Sequence, residues 1–309
     1  MANISSATVT VPATTANLGP GFDCLGAALS LYNQFKFTLL DESASSPLEI
    51  IVEGKEAKKV STDSSNLVYQ SFLKLYQYLK KQPPTIKIDI SMEVPLARGL
   101  GSSATAIIGG LMGANELSGE PLELSQLRDL AIAIEGHPDN VVPALLGNCQ
   151  LSVQDEEKSW SICQLPWHRD IISVVAIPDF ELSTEEARKV IPSQINRNDA
   201  IFNISRLGLL IRGLETGQGD WLRVAMADKL HQPYRQKLIL GYEVVASTAL
   251  TAGAYGTVIS GAGPTLLSLT NSEKANFVVK AMAKAWEEQG ITADVKVLSI
   301  DKKGAKIVR

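Results

Sequence analysis

The stretch from residue 86 to 117 limits what this chain can fold into more than any other. Ile86, Ile88, Ile90, Met92 and Val94 alternate with less apolar neighbours, the period of a strand with one buried face. Pro95-Leu96-Ala97-Arg98-Gly99-Leu100-Gly101-Ser102-Ser103-Ala104-Thr105 follows. From Ala104 to Leu117 the chain is mostly apolar or small all round, with Ile107, Ile108, Leu111 and Met112 among Gly109, Gly110 and Gly113. A helix of that composition has little polar face to give to water and is expected to be buried on every side. Strand, glycine loop and helix start in that order place unpaired N–H groups and the positive dipole end at one spot, which favours an anion. Taken alone, the same residues also describe a tight turn in which glycine permits close packing.

The rest of the chain bounds the choices. At 309 residues, two domains sharing a cleft are expected. A hydrophobic share of 45% supplies ample core for a soluble protein, and no apolar run approaches the roughly 18 residues of a membrane span. Net charge is −4 with both signs mixed, so neither a nucleic-acid surface nor a membrane partner is indicated. Cys24, Cys149 and Cys163 are odd in number and form no CxxC, which fits reduced thiols in a cytoplasmic protein. Patterned sequence begins by Val9, which leaves no room for a targeting peptide.

In chain order, Thr8–Val11 and residues 29–40 alternate as strands around a polar, glycine-bearing loop at 12–23, where Asn17 and Asp23 would suit a ligand. Turns are expected at 42–47 and 118–121 and a strand at 48–52. A helix is expected from Ser64, capped by Ser64 or Ser65, and another over 124–135. Gly136-His137-Pro138-Asp139-Asn140 then breaks the pattern. The polar run 154–161 reads as a domain boundary, giving units of 1–155 and 156–309. Beyond it come a fully apolar strand at 171–177, helices at 184–190, 199–215, 221–229 and 273–289, the glycine loop 260–265, and a closing strand at 295–300.

Four polar loops (12–23, 95–105, 135–140 and 260–265) thus punctuate apolar elements, as a cleft enzyme requires. Gly99-x-Gly101-x-x-Ala104 matches the loose dinucleotide fingerprint, but Pro95 and Arg98 lengthen the turn and the acidic partner is missing. No Gly-Lys-Ser/Thr loop, no paired zinc histidines and no Gly-x-Ser-x-Gly elbow occur. Phosphoryl transfer fits better. Ser102 and Ser103 offer hydroxyls, and Glu135 or Asp139 a carboxylate, for a magnesium-bound triphosphate.

Pro95–Ala104 resembles the second motif of the GHMP kinases, Pro12–Asp23 the first and Ser260–Ser268 the third, in family order across nearly the whole chain. His137-Pro138-Asp139-Asn140, the segment with Thr184 and Arg188, and His231-Gln232-Pro233-Tyr234-Arg235 resemble the branch whose acceptor is L-homoserine. The resemblance implies an α+β, two-domain GHMP kinase fold: an N-terminal ribosomal-protein-S5 type domain and a ferredoxin-like C-terminal domain. It implies ATP-dependent phosphorylation of the homoserine side-chain hydroxyl, a step toward threonine, by a homodimer. Residues 95–105 would wrap the ATP phosphates, Asn66 would meet the base, and Ser103 with Glu135 would hold Mg²⁺. Asp129 sits at the other spacing seen in relatives, so it stays an alternative to Glu135. Asn17, Asp23, His137, Asp139 and Thr184 would line the amino-acid pocket. Arg188 and Arg235 would grip its carboxylate, because a planar fork binds a carboxylate bidentately. Asp139 is the candidate general base, unless positioning alone suffices. Another small-molecule kinase of the family and a non-catalytic sensor on the same fold remain alternatives.

Overall fold

The computed structural model describes residues 5–41, 46–119 and 122–308, so the expected turns at 42–47 and 118–121 lie partly outside the described residues. The first sheet takes β1 (Ser6–Ala16), β2 (Leu25–Leu39), β3 (Leu48–Gly54) and, after α1 (Leu67–Tyr78), β4 (Ile86–Met92). Its order is β1-β2-β4-β3, antiparallel except for β3 beside β4, where α1 supplies the crossover a parallel pair needs. The central helix α2 (Ser102–Leu117) lies between this sheet and α1, with Ile107, Ile108 and Leu111 at most 1% exposed. Its glycines face Phe35 and Phe37 of β2 and the backbone of α1, which lets the helix sit close on both. α3 (Leu124–Glu135) and α4 (Pro138–Leu146) complete the layer.

β5 (Cys149–Gln154) pairs with the start of β2 and with β6 (Trp160–Leu165). The polar run 154–161 therefore turns a hairpin inside the first sheet, and the boundary expected at 155/156 does not separate the two sheets. The second sheet begins with β7 (Ile172–Pro178) and is followed by α5 (Thr184–Lys189), α6 (Arg197–Thr216), α7 (Gly219–Ala225), α8 (Gln232–Arg235) and α9 (Tyr242–Thr251). β8 (Gly256–Ile259), β9 (Leu266–Thr270), α10 (Ala275–Glu288) and β10 (Ala293–Leu298) close it in the order β10-β7-β9-β8, all antiparallel. β7 is apolar apart from the buried Ser173 because both faces are covered. Val174 and Ala176 pack with Val278, Met282 and Trp286 of α10, while Val175 and Ile177 join a cluster with Leu25, Leu29, Val94 and Leu100 of the first half. The two halves thus share a core. The chain then returns, and β11 (Lys306–Val308) adds to the outer edge of β1.

Other boundaries depart from expectation, among them the helix expected at 221–229, which is α7 and ends at Ala225. Pro12–Ala16 belongs to β1, not to a loop, since these small residues are buried against Ala27–Leu29. Asn66, not Ser64 or Ser65, caps α1, its Oδ1 accepting from the N–H groups of Val68 and Tyr69.

Candidate active site

A cleft of about 470 Å³ opens between the two halves, lined by the glycine loop, the end of α3, α5, Arg235 and the Gly261-Ala262 turn. The loop backbone alternates into the left-handed region at Ala97 (φ 50°), Gly99 (75°) and Gly101 (68°). Gly101 caps α2 without a side-chain bond, so the first-turn N–H groups of α2 are not capped by a side chain. Close approach explains the glycines: a Cβ on Gly99 would run into the carbonyl oxygen of Ser260, and one on Gly101 into the Thr14 hydroxyl. Leu96–Gly99, Gly101–Ser103 and Thr105 line the cleft; Leu100 and Ala104 are buried in core, and Pro95 faces a second groove behind the loop. Arg98, one of the residues expected to wrap the phosphates, lines the cleft but spends its donors on backbone. The buried Arg98 guanidinium donates to the carbonyls of Leu96, Pro178 and Asp179. Asn66 lines the cleft while its amide donates to Ser61 O and its Oδ1 accepts from the helix start, so in this structure the side chain caps α1 at the cleft wall.

Ser103 Oγ donates to Glu135 Oε1 at 2.8 Å, joining the start of α2 to the end of α3. Burial pushes the Glu135 carboxyl above its usual range, against the pull of the Ser103 hydrogen bond and His137, with Asp139 adding to the rise. Asp129 pairs instead with Arg128 away from the cleft, so of the two alternatives only Glu135 lies at the loop. Among the described residues no three His, Cys, Asp or Glu side chains gather as a self-sufficient metal cage. A hydroxyl and one desolvated carboxylate beside an anion cradle do fit Mg²⁺, which binds through one or two carboxylates and substrate phosphates. Asp139, 1% exposed in the first turn of α4, meets His137 Nδ1 through Oδ1 at 2.8 Å, while its Oδ2 is buried without a partner. The Asp139 hydrogen bond holds the His137 imidazole above its ordinary pKa.

Across the cleft, Asn17 bridges the first and third loops, donating to Gly261 O and accepting from Asp23 N. Arg188 holds Asp23 bidentately at 2.7 and 3.0 Å. Arg235, 1% exposed, donates to Ala187 O and Gly261 O, and its guanidinium lies 5.1 Å from the centre of the Phe22 ring. Burial, and then the nearby Arg188, push it down to about 10, so it stays cationic at neutral pH. Thr184 opens α5 at the cleft wall.

His231 holds this side together. It is fully buried, stacks on Phe22 at 5.1 Å and bonds Gly19 O through Nε2 at 2.9 Å. Burial lowers its pKa, and a neutral ring protonated on Nε2 satisfies that bond while Nδ1 faces Arg235 at 3.5 Å. Sequence reasoning did not single out Thr14, Asn33 or Glu56. Asn33 had a signal, an amide between Leu31 and Phe35 in an inward-facing series; it bonds Thr105 and caps the N–H groups of Glu93 and Val94. Glu56 had none, since it acts across 40 residues on Leu96 N.

An S5-type half with a glycine loop on a buried helix, joined to a four-stranded sheet across a cleft, defines a class of small-molecule kinases. Residues 66–148 match the family described as GHMP kinases N terminal domain, and 210–288 the one described as GHMP kinases C terminal; the chain belongs to the GHMP kinase family. It is 67% identical to the homoserine kinase of Crocosphaera subtropica over 304 residues, 98% of each chain. The crystal structure of homoserine kinase from Cytophaga hutchinsonii superposes with a TM-score of 0.89 at 30% identity, covering 100% of this chain and 99% of that one. Mevalonate kinase of L. major, solved with R-mevalonate, shares the fold at a TM-score of 0.73 and 15% identity, over 95% of each chain.

Proposed function

We infer that the chain is a homoserine kinase, transferring the γ-phosphoryl group of ATP to the side-chain hydroxyl of L-homoserine on the route to threonine. One observation carries this reading beyond the relatives' names. The wall facing the phosphate cradle carries two arginines, Arg188 and Arg235, with Asp23 paired behind Arg188, and together these charges complement an amino-acid zwitterion.

In this reading the loop N–H groups and the α2 start bind the phosphates. Ser103 and Glu135 would hold Mg²⁺, which neutralises charge on the transferring group. Arg188 and Arg235 receive the substrate carboxylate, Asp23 its ammonium, and Asn17 and Thr184 shape the pocket. That would bring the hydroxyl toward His137, which lines the cleft; Asp139 lies behind it, and its unpartnered Oδ2 is the candidate proton acceptor only where the bound state opens it to the substrate. Because the transition state of phosphoryl transfer is loose, orientation by these residues supplies much of the catalysis.

Coupled detection of ADP with homoserine, mevalonate, galactose and 4-hydroxybutyrate as acceptors tests the assignment. Turnover is expected on homoserine, and its absence there rejects the function. The same reading has the enzyme in the cytoplasm as a homodimer, and light scattering on the purified chain checks the dimer. Among the described residues no helix is long and apolar enough to cross a membrane.

A further inference from the structure

The cation in the glycine loop is committed to backbone carbonyls. Arg98 is 5% exposed, and its Nε, Nη1 and Nη2 donate to Pro178 O (3.0 Å), Leu96 O (2.7 Å) and Asp179 O (2.7 Å). One of those carbonyls ends β7 in the second sheet, the next follows it, and the third lies in the loop itself. Glu56, on the first-sheet side, sits 3.5 Å from Nη2 and accepts the Leu96 N–H at 2.7 Å. Glu181 closes the ring at 3.3 Å from Nη1. The backbone runs the same way, with Leu182 N–H donating to Ala97 O and Thr265 N–H to Arg98 O. Residues 178–182 lead straight into α5, which carries Thr184 and Arg188.

We propose that Arg98 and Glu56 are positioning residues that fix the nucleotide loop to the α5 segment, so that nucleotide and amino acid bind cooperatively through this link. The chemistry requires arginine. A planar fork satisfies three carbonyls in different directions, whereas a lysine ammonium is one point at the end of a flexible stem. Glu56 matters for the opposite reason. Its carboxylate contacts both the guanidinium and a loop N–H, so it fixes the loop's height as well as the arginine's direction. Left-handed backbone at Ala97, a residue with a Cβ, is held by these same contacts.

The inference deepens the kinase reading, so its test begins with nucleotide alone. ADP affinity by calorimetry, hydrogen exchange of the 95–101 peptide, and thermal midpoints are compared for wild type, Arg98→Lys and Glu56→Gln. Glu56→Gln keeps shape and an acceptor for Leu96 N–H, and serves if Arg98→Lys does not fold. Folded Arg98→Lys is expected to bind ADP about tenfold more weakly with faster loop exchange, and Glu56→Gln to move the same way by a smaller factor. Glu181→Gln, at the solvent edge, is expected to change ADP affinity less than twofold. In wild type, saturating ADP should tighten L-homoserine at least about fivefold, and in Arg98→Lys that factor should fall toward one. ADP affinity and loop exchange unchanged in both folded variants would overturn the proposal. ADP binding without any homoserine binding in wild type would sink the functional reading instead, leaving the loop measurements to judge the latch.

Discussion

Asp139 and His137 are two residues apart, yet the imidazole lines the cleft while the carboxylate is buried behind it. Asp139 gives one oxygen to the imidazole and keeps the other buried without a partner, an arrangement that is costly unless a ligand proton completes it. Asp139→Asn should fold and lower kcat by about a hundredfold or more if that oxygen accepts the hydroxyl proton. A loss of only about tenfold, worth about 1.4 kcal/mol, would reduce its task to orientation. The pair also has a pH signature. The folded-state pKa of His137 is raised above 6.5, so its contribution to stability is full below that value and fades as pH rises through the folded pKa. Urea unfolding should therefore show the largest gap between wild type and Asp139→Asn below about pH 6.5, and a smaller gap at pH 8. Ser103→Ala, which leaves every glycine untouched, should weaken Mg²⁺ activation about tenfold in a titration of rate against free metal. Because burial raises the Glu135 pKa, that activation should also strengthen as pH rises through the Glu135 titration, a trend Glu135→Gln should abolish.

The helix α2 was legible because its composition has only one physical solution. Apolar or small on nearly all sides, it has to be central, and its glycines mark where the sheet and α1 press in. Gly110→Ala shows which force wins there. Alanine favours a helix by about 1 kcal/mol over glycine, but the added methyl would strike the Val68 carbonyl and the Ser71 side chain, and backbone cannot step aside. Overpacking at about 1–3 kcal/mol should prevail, giving a net loss in urea denaturation. Gly208, in α6 with open space where a methyl would project, is the control, and Gly208→Ala should stabilise by up to about 1 kcal/mol. Other elements were illegible for physical reasons. α4 carries Pro143 within it and opens with Pro138, which disguises the helix that presents Asp139. β6 is short, largely exposed and at the edge of its sheet, and the polar turn that leads into it from β5 read as a linker. α9 buries only Val245 and Ala249 and offers no strong apolar stripe.

Loop order across the whole chain marked a candidate site, because residues of all four polar loops meet at one cleft. Partnerships between distant segments could not be read that way. The bonds of Arg98 to Pro178 and Asp179 have no local signal in the sequence. The same limit hid the way the two halves are tied. After β10 the chain crosses back to the first sheet: Ser30 N–H donates to Ser299 O, Asp301 N–H to Ala28 O, Asn148 N–H to Asp301 O, Tyr32 Oη to Asp301 Oδ2, and Ala305 N–H to Ala144 O. β11 then covers the β1 edge. Each such bond contributes about 1 kcal/mol net, so the return segment supplies several kcal/mol against a total of about 5–15 for a typical domain. The shared apolar cluster around Leu25, Leu29, Val175 and Ile177 couples the halves, and the intact chain should unfold in one transition. Truncation after Leu298 leaves every residue of the second sheet in place but strips the strap and β11 from the first. Circular dichroism should then report a first transition at lower urea, while fluorescence of the fully buried Trp286 in α10 lags behind it. Coincident curves with an unchanged midpoint would mean that the shared cluster alone holds the halves together.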